Sequence, residues 1–318
     1  MDIIFFGSSQ FSIAALEACL QADHKISCVV TTPVQKQGRG LREILNPVHQ
    51  FCASRGLPCL APESLKTGDS IERVRALQPE LFVVSSYGKL IPGAWLAIPR
   101  LSLNVHPSLL PLYRGAAPVN WPILNGDTHT GVSIAEVTGK LDGGDIFYQT
   151  LTEIPSACNS LDLSRILAQD SAAALLKVFE DYRCGSLTRL TQDEGRSTYA
   201  RKLEKIDGLI DWRRDAAAIE RQIRGLLPWP VAFTFSRGVL LQILKARVES
   251  EKGSGTAAGE LLEISKDGSI KIQTGLGVLA IERVKPAGRT EMGAAAFVRG
   301  KRLEPGSLFE APPAGGLA

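Results

Sequence analysis

The chain has 318 residues, is 44% hydrophobic and 22% charged, and carries a formal net charge of +3. That length suits about two domains, each able to bury a real core. The longest apolar runs fall well short of the ~20 residues a membrane span needs, and "MDIIFFGSS" has an acid where a signal peptide is basic. The charge is uneven, with net −1 over residues 1–190 and net +4 over 191–318, a mild excess that permits a polyanionic partner without demanding one.

The first half alternates strands and helices. "DIIFF" (2–6) reads as a buried strand ending at Gly7, and "FSIAALEACLQA" (11–22) as a helix by the spacing of Ile13, Leu16 and Leu20. "ISCVVT" (26–31) is a second strand. "NPVHQFCASRG" (46–56) supplies its own helix signals: Asn46 as cap, Pro47 in the first turn, Gly56 as terminator. Strands follow at "ELFVVSSY" (80–87) and "LSLNV" (101–105), then a short helix at "VNWPILNGD". "TGVSIAEV" (130–137) and "GDIFYQTLTEI" (144–154) are further strands, and residues 161–185 form a long amphipathic helix. This rhythm implies an α/β fold, a doubly wound, mostly parallel sheet. Such sheets bind ligands beyond the carboxyl ends of their strands, and residues 104–106 lie at such an end.

The rhythm breaks near residue 186. Residues 187–206 are polar and weakly periodic and read as a linker. A helix at 216–227 and short strands at 231–235, 239–249, 259–265, 269–275 and 277–286 suggest a small β-barrel or sandwich, with a further helix near "EMGAAAFVRG". The expected layout is a catalytic domain over 1–186, the linker, a β-barrel domain over 207–311, and a disordered tail over 312–318.

Several stretches carry chemistry-bearing residues. "FFGSSQFS" lacks the second glycine of a dinucleotide fingerprint, and no acid ends "ISCVVTT", so Gly7 reads as a tight turn. The histidines His24, His49, His106 and His129 show no metal-ligand spacing, and the six cysteines form no Cys-x-x-Cys pair. No metal is expected, and scattered cysteines fit a reduced, cytoplasmic protein. "TPVQKQGRGLREILNP" (32–47) is far longer than an ordinary loop and holds Lys36, Arg39 and Arg42 against one acid, Glu43. It is either a solvated surface loop or a contact for phosphates. "SSYGKLIP" (85–92) starts a loop at Tyr87 and Gly88 that can wall a flat heterocycle or simply turn into a helix. "KLDGGDI" (140–146) sets Asp142 in hairpin-turn chemistry. "NVHPSLLP" places Asn104 and His106 at a strand end, where they can serve catalysis or satisfy nearby backbone groups.

Taken together, "SSYGKLIP", "NVHPSLLPLYRGAAP", "TGVSIAEV", "LDGGDI", "YARKLEKIDGLIDW" and "LLPWPVAF" resemble, in order, the methionyl-tRNA formyltransferases, a branch of the 10-formyltetrahydrofolate-dependent formyltransferases. The resemblance spans roughly residues 2–310. It departs at "GSS", where the family commonly has Gly-Thr-Pro, and at Lys36 and Gln37, where a second arginine precedes the glycine. The resemblance implies a Rossmann-like domain followed by a small OB-like barrel. It implies Asn104, His106 and Asp142 as the catalytic trio, and folate contacts at Ser108, Leu109, Leu110 and Pro111, joined by Tyr87 and Gly88. The basic loop, with Lys36, Arg39 and Arg42, is then expected to enter the acceptor arm of initiator methionyl-tRNA. The implied reaction moves the formyl group of 10-formyltetrahydrofolate onto the methionine α-amine, in translation initiation. Because the amine is itself the nucleophile, no serine or cysteine is required. A monomer is expected, with no membrane partner. Sister reactions, formylation of a glycinamide or sugar amine or hydrolysis of the donor, share the same core motif.

Overall fold

The computed structural model describes residues 1–37, 42–66, 69–253 and 255–310. The chain divides into two compact units. The first holds Met1–Val119, His129–Ile154 and Leu163–Arg201; the second holds Asn120–Thr128, Pro155–Asp162 and the chain from Lys202 onward.

The first unit begins with β1 (Asp2–Gly7), α1 (Phe11–Gln21), β2 (Lys25–Val30), the short β3 (Gln35–Gln37) and β4 (Arg42–Ile44), and α2 (Pro47–Arg55). It continues through β5 (Cys59–Leu60), α3 (Ser70–Ala76), β6 (Leu81–Ser85), α4 (Gly93–Leu96), β7 (Leu101–His106) and β8 (Arg114–Gly115). After α5 (Asn120–Asn125), which belongs to the second unit, come β9 (His129–Glu136), β10 (Ile146–Glu153), α6 (Ser160–Cys184) and β11 (Tyr199–Ala200). Seven strands form one sheet in the order β10-β9-β7-β6-β1-β2-β5. β5, β2, β1, β6 and β7 run parallel, and β9 is antiparallel to both β7 and β10. Ile3, Ile4, Phe5 and Phe6 are all fully buried, so both faces of the central strand are covered. That is why β1 is a continuous apolar run and not an alternating one. The chain winds outward from β1 through β2 to β5, then returns to β6 on the other side of β1. This topological switch puts the ends of β1, β6 and β7 side by side, where open α/β sheets receive ligands.

Local signals explain the helices. The Asn46 side chain accepts from the His49 N–H, Pro47 opens α2, and Gly56 closes it at φ 64°, as the sequence leads one to expect. Gly7, in contrast, is not a turn glycine. A Cβ there would lie 2.8 Å from both the Phe5 ring and Ser12, so it is the close approach of α1 to β1 that requires glycine.

The second unit adds α7 (Ala216–Gly225), β12 (Phe233–Ser236), β13 (Val239–Ser250), β14 (Leu261–Ile264), β15 (Ile270–Gln273), β16 (Val278–Pro286), β17 (Met292–Gly293) and α8 (Ala294–Gly300). β12-β13-β16-β15-β14 make a curled antiparallel sheet, with β17 on β16. Segment 306–310 joins its two edges, pairing Glu310 with Phe235 and Leu308 with Glu260. Ile219 and Ile223 of α7 enter one core with Leu241, Ile243, Leu279 and Ile281. Trp212 of the "IDW" motif is buried there and donates its indole N–H to Thr234 Oγ1, whereas Trp229 of "PWP" is 52% exposed.

Candidate active site

Asn104 and His106 stand two residues apart on β7, so their side chains leave the same face of the sheet. Asp142 arrives from the connection between β9 and β10, at φ +47°. Left-handed backbone is tolerated best by Asn and Asp among non-glycine residues. Its carboxylate gathers the site: Oδ1 accepts from Asn104 Nδ2 at 2.8 Å, and Oδ2 accepts from the Gly115 N–H at 2.8 Å. His106 is 5% exposed, with Nδ1 3.7 Å from Asp142 Oδ1.

The other ring nitrogen settles the tautomer. His106 Nε2 lies 2.9 Å from the Tyr113 carbonyl, which can only accept. Nε2 therefore carries hydrogen, and Nδ1 is the atom that can gain or lose a proton. A proton gained at Nδ1 faces the Asp142 carboxylate, with Oδ1 at 3.7 Å. Asn104 spends one N–H on Asp142 and keeps a second without a partner among the described residues. The site thus offers an amide donor, a proton-exchanging imidazole and a carboxylate. Ser108 donates to the Leu112 carbonyl and Ser133 to the Ser108 carbonyl, whereas Ser102, two residues before Asn104 on β7, is buried with its hydroxyl unpartnered among the described residues.

A second tier of residues comes from the polar stretch that composition reads as a linker. The chain from Gln192 to Ala200 belongs to the first unit and straps two parts of the site. Gln192, buried, donates to the carbonyls of Asp142 at 2.8 Å and Gly144 at 2.7 Å, on either side of the Asp-Gly-Gly turn. Its own oxygen accepts from Arg114 Nε at 3.1 Å and Nη2 at 2.6 Å. Arg114 has 0% exposure, and its Nη1 and Nη2 also reach Glu194. A buried guanidinium requires such a partner. Arg114, and after it Lys140, hold the Glu194 carboxyl down at about 2. The strap also receives the backbone around Arg114: the Tyr113 N–H donates to Thr198 Oγ1 and the Arg114 N–H to the Thr198 carbonyl. Sequence reasoning misses these residues because their partners are 50–80 positions away. The one local hint is the polar residues of 187–206 themselves, read as a linker when Gln192, Glu194 and Thr198 are structural.

The stretch after His106 is mostly committed inward. Ser108 and Leu110 are buried, and Leu110 packs with Ala135 and Ile146. The Leu110 N–H donates to Ser133 Oγ, and its carbonyl accepts from Gln149. Leu109 and Pro111 keep partial exposure. The loop after β6 behaves similarly. Tyr87 turns its ring into the core beside Phe6 and Trp95, while Gly88, at φ +80°, is exposed, as is Leu90 at 81%. Burial pushes the Tyr87 phenol up to about 12, and its hydroxyl has no partner among the described residues. An unsatisfied buried hydroxyl costs about 1–3 kcal/mol. Tyr87→Phe is therefore expected to leave turnover unchanged and to hold or raise the melting temperature. A fall in turnover would instead place the hydroxyl on a ligand.

In the basic loop, Arg39 lies outside the described residues. Lys36 and Arg42 lie on the β3–β4 hairpin, where the backbone of Lys36 pairs with Glu43 and that of Gln37 with Arg42. The long connection is thus a short hairpin, not irregular loop throughout. Asn46 ties its base: its oxygen accepts from Thr31 Oγ1, and its NH₂ donates to the Thr32 carbonyl at 3.0 Å. Among the described residues no group of three or more His, Cys, Asp or Glu is placed to hold a metal ion, and no helix is long and apolar enough to cross a membrane.

Comparison with known proteins agrees along the whole chain. Residues 1–179 match the formyl transferase family, and residues 202–302 match the formyl transferase C-terminal domain. The methionyl-tRNA formyltransferase of Citrifermentans bemidjiense is 38% identical over 97% of this chain and 96% of its own. Among solved structures, the methionyl-tRNA formyltransferase from Clostridium thermocellum aligns at TM-score 0.55 and 18% identity, over 78% of this chain and 94% of its own. HypX from Aquifex aeolicus, in complex with tetrahydrofolic acid, aligns at TM-score 0.67 and 18% identity over 99% of this chain. This chain spans about half of HypX, 49% of its length.

Proposed function

The chain belongs to the methionyl-tRNA formyltransferase family, and on that premise we propose that Asn104, His106 and Asp142 carry a direct transfer of formyl from 10-formyltetrahydrofolate to the methionine amine of the initiator tRNA. The observation that supports this most is the convergence of an amide, an imidazole and a carboxylate at one strand end. The reaction needs no protein nucleophile. The amine nitrogen bonds to the formyl carbon, the bond from that carbon to the folate nitrogen breaks, and one amine proton ends on the departing nitrogen.

The chain's residues then have three tasks. The first is to hold amine and formyl carbon in attack geometry, which is worth up to about 7–11 kcal/mol of barrier. Leu109, Pro111, Leu90 and the Gly88 backbone fit a flat heterocycle, since they are the part of the two loops not turned into the core. The second is to stabilise the oxyanion, for which the free N–H of Asn104 and a protonated His106 Nδ1 are the donors. The third is to move the proton, for which His106 Nδ1 accepts and returns it while Asp142 balances the charge.

The acceptor is read as a tRNA held partly by the basic hairpin and partly by the second unit, whose Trp229 offers an exposed aromatic face. Arg39→Ala and Arg42→Ala are each expected to raise the KM for charged tRNA and lower its dependence on salt concentration, with the folate KM unchanged. Equal salt slopes for both variants and the parent chain would make the hairpin an ordinary surface feature. We place the protein in the cytoplasm, as a monomer; its six cysteines are free among the described residues, which suits a reducing compartment. The reading is tested by incubating the protein with charged initiator tRNA and either 10-formyl- or 5-formyltetrahydrofolate. Formylmethionine is expected only with the 10-formyl donor. Donor consumption without tRNA would point to hydrolysis instead.

A further inference from the structure

We infer that Gln192 and Arg114 are positioning residues that set the distance between His106 and Asp142; this rests on the formyl-transfer reading above. The geometry is a closed circuit. Tyr113, Arg114 and Gly115 are consecutive, and each does a different job. The Tyr113 carbonyl accepts from His106, the Gly115 N–H donates to Asp142, and the Arg114 side chain grips Gln192. Gln192 in turn donates to the carbonyls of Asp142 and Gly144. One tripeptide therefore fixes the imidazole at one end and the carboxylate at the other, and Gln192 locks the turn that carries the carboxylate.

The circuit holds backbone that does not favour its own conformation. Tyr113 sits at φ +58° and Asp142 at φ +47°, both in the left-handed region. Such residues cost of order 1–3 kcal/mol each and persist only where surrounding contacts over-determine them. Those contacts are the strap's: Thr198 on Tyr113, Gln192 on Asp142. A loosened strap frees the turn, and the gap of 3.7 Å between His106 Nδ1 and Asp142 Oδ1 is no longer set. A displacement of about 1 Å in such a pair can cost about 10²-fold in rate. Gln192 touches neither His106 nor the Asp142 carboxylate, so its influence runs through position.

Gln192→Glu separates the two functions of the side chain. A glutamate still accepts from Arg114 and pairs its charge, which preserves the buried cation's partner. It cannot donate to the two carbonyls. The expected result is a fall in kcat of about 10- to 100-fold, with both KM values within about threefold and a melting temperature lowered by the two carbonyls that lose their donor. A general structural defect would move stability and KM together. The deciding measurement is a double-mutant cycle in single-turnover formylation, combining Gln192→Glu with Asp142→Ala. If Gln192 acts through Asp142, its substitution costs little more once Asp142 is gone. Additive losses, or a Gln192→Glu protein that turns over like the parent, would overturn the inference. An Asp142→Ala protein with parental activity would instead overturn the catalytic reading on which the inference stands. Thr198→Val, which removes the hydroxyl bond to Tyr113, gives a second route if Gln192→Glu folds poorly, with the same cycle and the same two outcomes.

Discussion

His106→Ala is expected to lower turnover at saturating substrates by about 10²–10³-fold or more, with the fold intact. Losing one oxyanion donor has that effect in other acyl-transfer sites, and loss of proton transfer adds about 10²–10⁴-fold where the two are separable. In the proposed mechanism His106 combines both at Nδ1, because Nε2 is committed to the Tyr113 carbonyl. The structural cost is smaller. The variant leaves that carbonyl without its donor, worth about 1–3 kcal/mol, in a unit whose central strands are buried on both faces. Asn104→Ala is expected to fall in the same range of turnover, since it removes the other donor and one bond to Asp142. Steady-state kinetics with a parallel thermal melt checks both. Near-parental turnover in a folded His106→Ala protein would remove the imidazole from the mechanism.

The second large effect is expected at Asp142. Asn is the informative substitute, because it tolerates φ +47° as alanine does not. The carboxylate accepts from two donors, Asn104 Nδ2 and the Gly115 N–H. An amide has one oxygen, so Asp142→Asn loses the charge and turns one of these bonds into a donor facing a donor. Turnover is expected to drop by about 10²–10⁴-fold, with the KM values much less affected. Asp142→Ala should lose similar activity and more stability, since it adds left-handed strain. Should Asp142→Asn keep turnover while Asp142→Ala loses it, the side chain's role would be to hold the turn and not to carry charge.

The sheet is legible because β1 and β6 are apolar runs of strand length that end in Gly7 and Ser85, and β7 alternates Leu101, Leu103 and Val105 with polar residues up to His106. The helix α2 is legible from Asn46, Pro47 and Gly56 alone. Asn104 and His106 can be picked out because residues two apart on a strand share a face. Asp142 cannot be joined to them by any local rule, and only the family resemblance links the three. The strap is illegible for a related reason. Gln192 and Glu194 look like solvated polar residues, and what makes them structural is Arg114, some 80 positions earlier, buried and in need of partners. Tyr87 shows a different gap: an aromatic residue at a strand end can face the ligand or the core, and here packing against Phe6 and Trp95 decides for the core. Gly7 shows that a glycine after a strand can mark close packing in place of a turn.

The most direct measurement is a rapid-quench experiment with formyl-labelled 10-formyltetrahydrofolate, following label on folate, on protein and on methionyl-tRNA. Direct transfer predicts label moving from folate to the methionine amine, none on the protein at any time or when tRNA is omitted, and no transfer above background with His106→Ala in the same time window. Label bound covalently to the protein, or transfer by His106→Ala at the parental rate, would contradict the account.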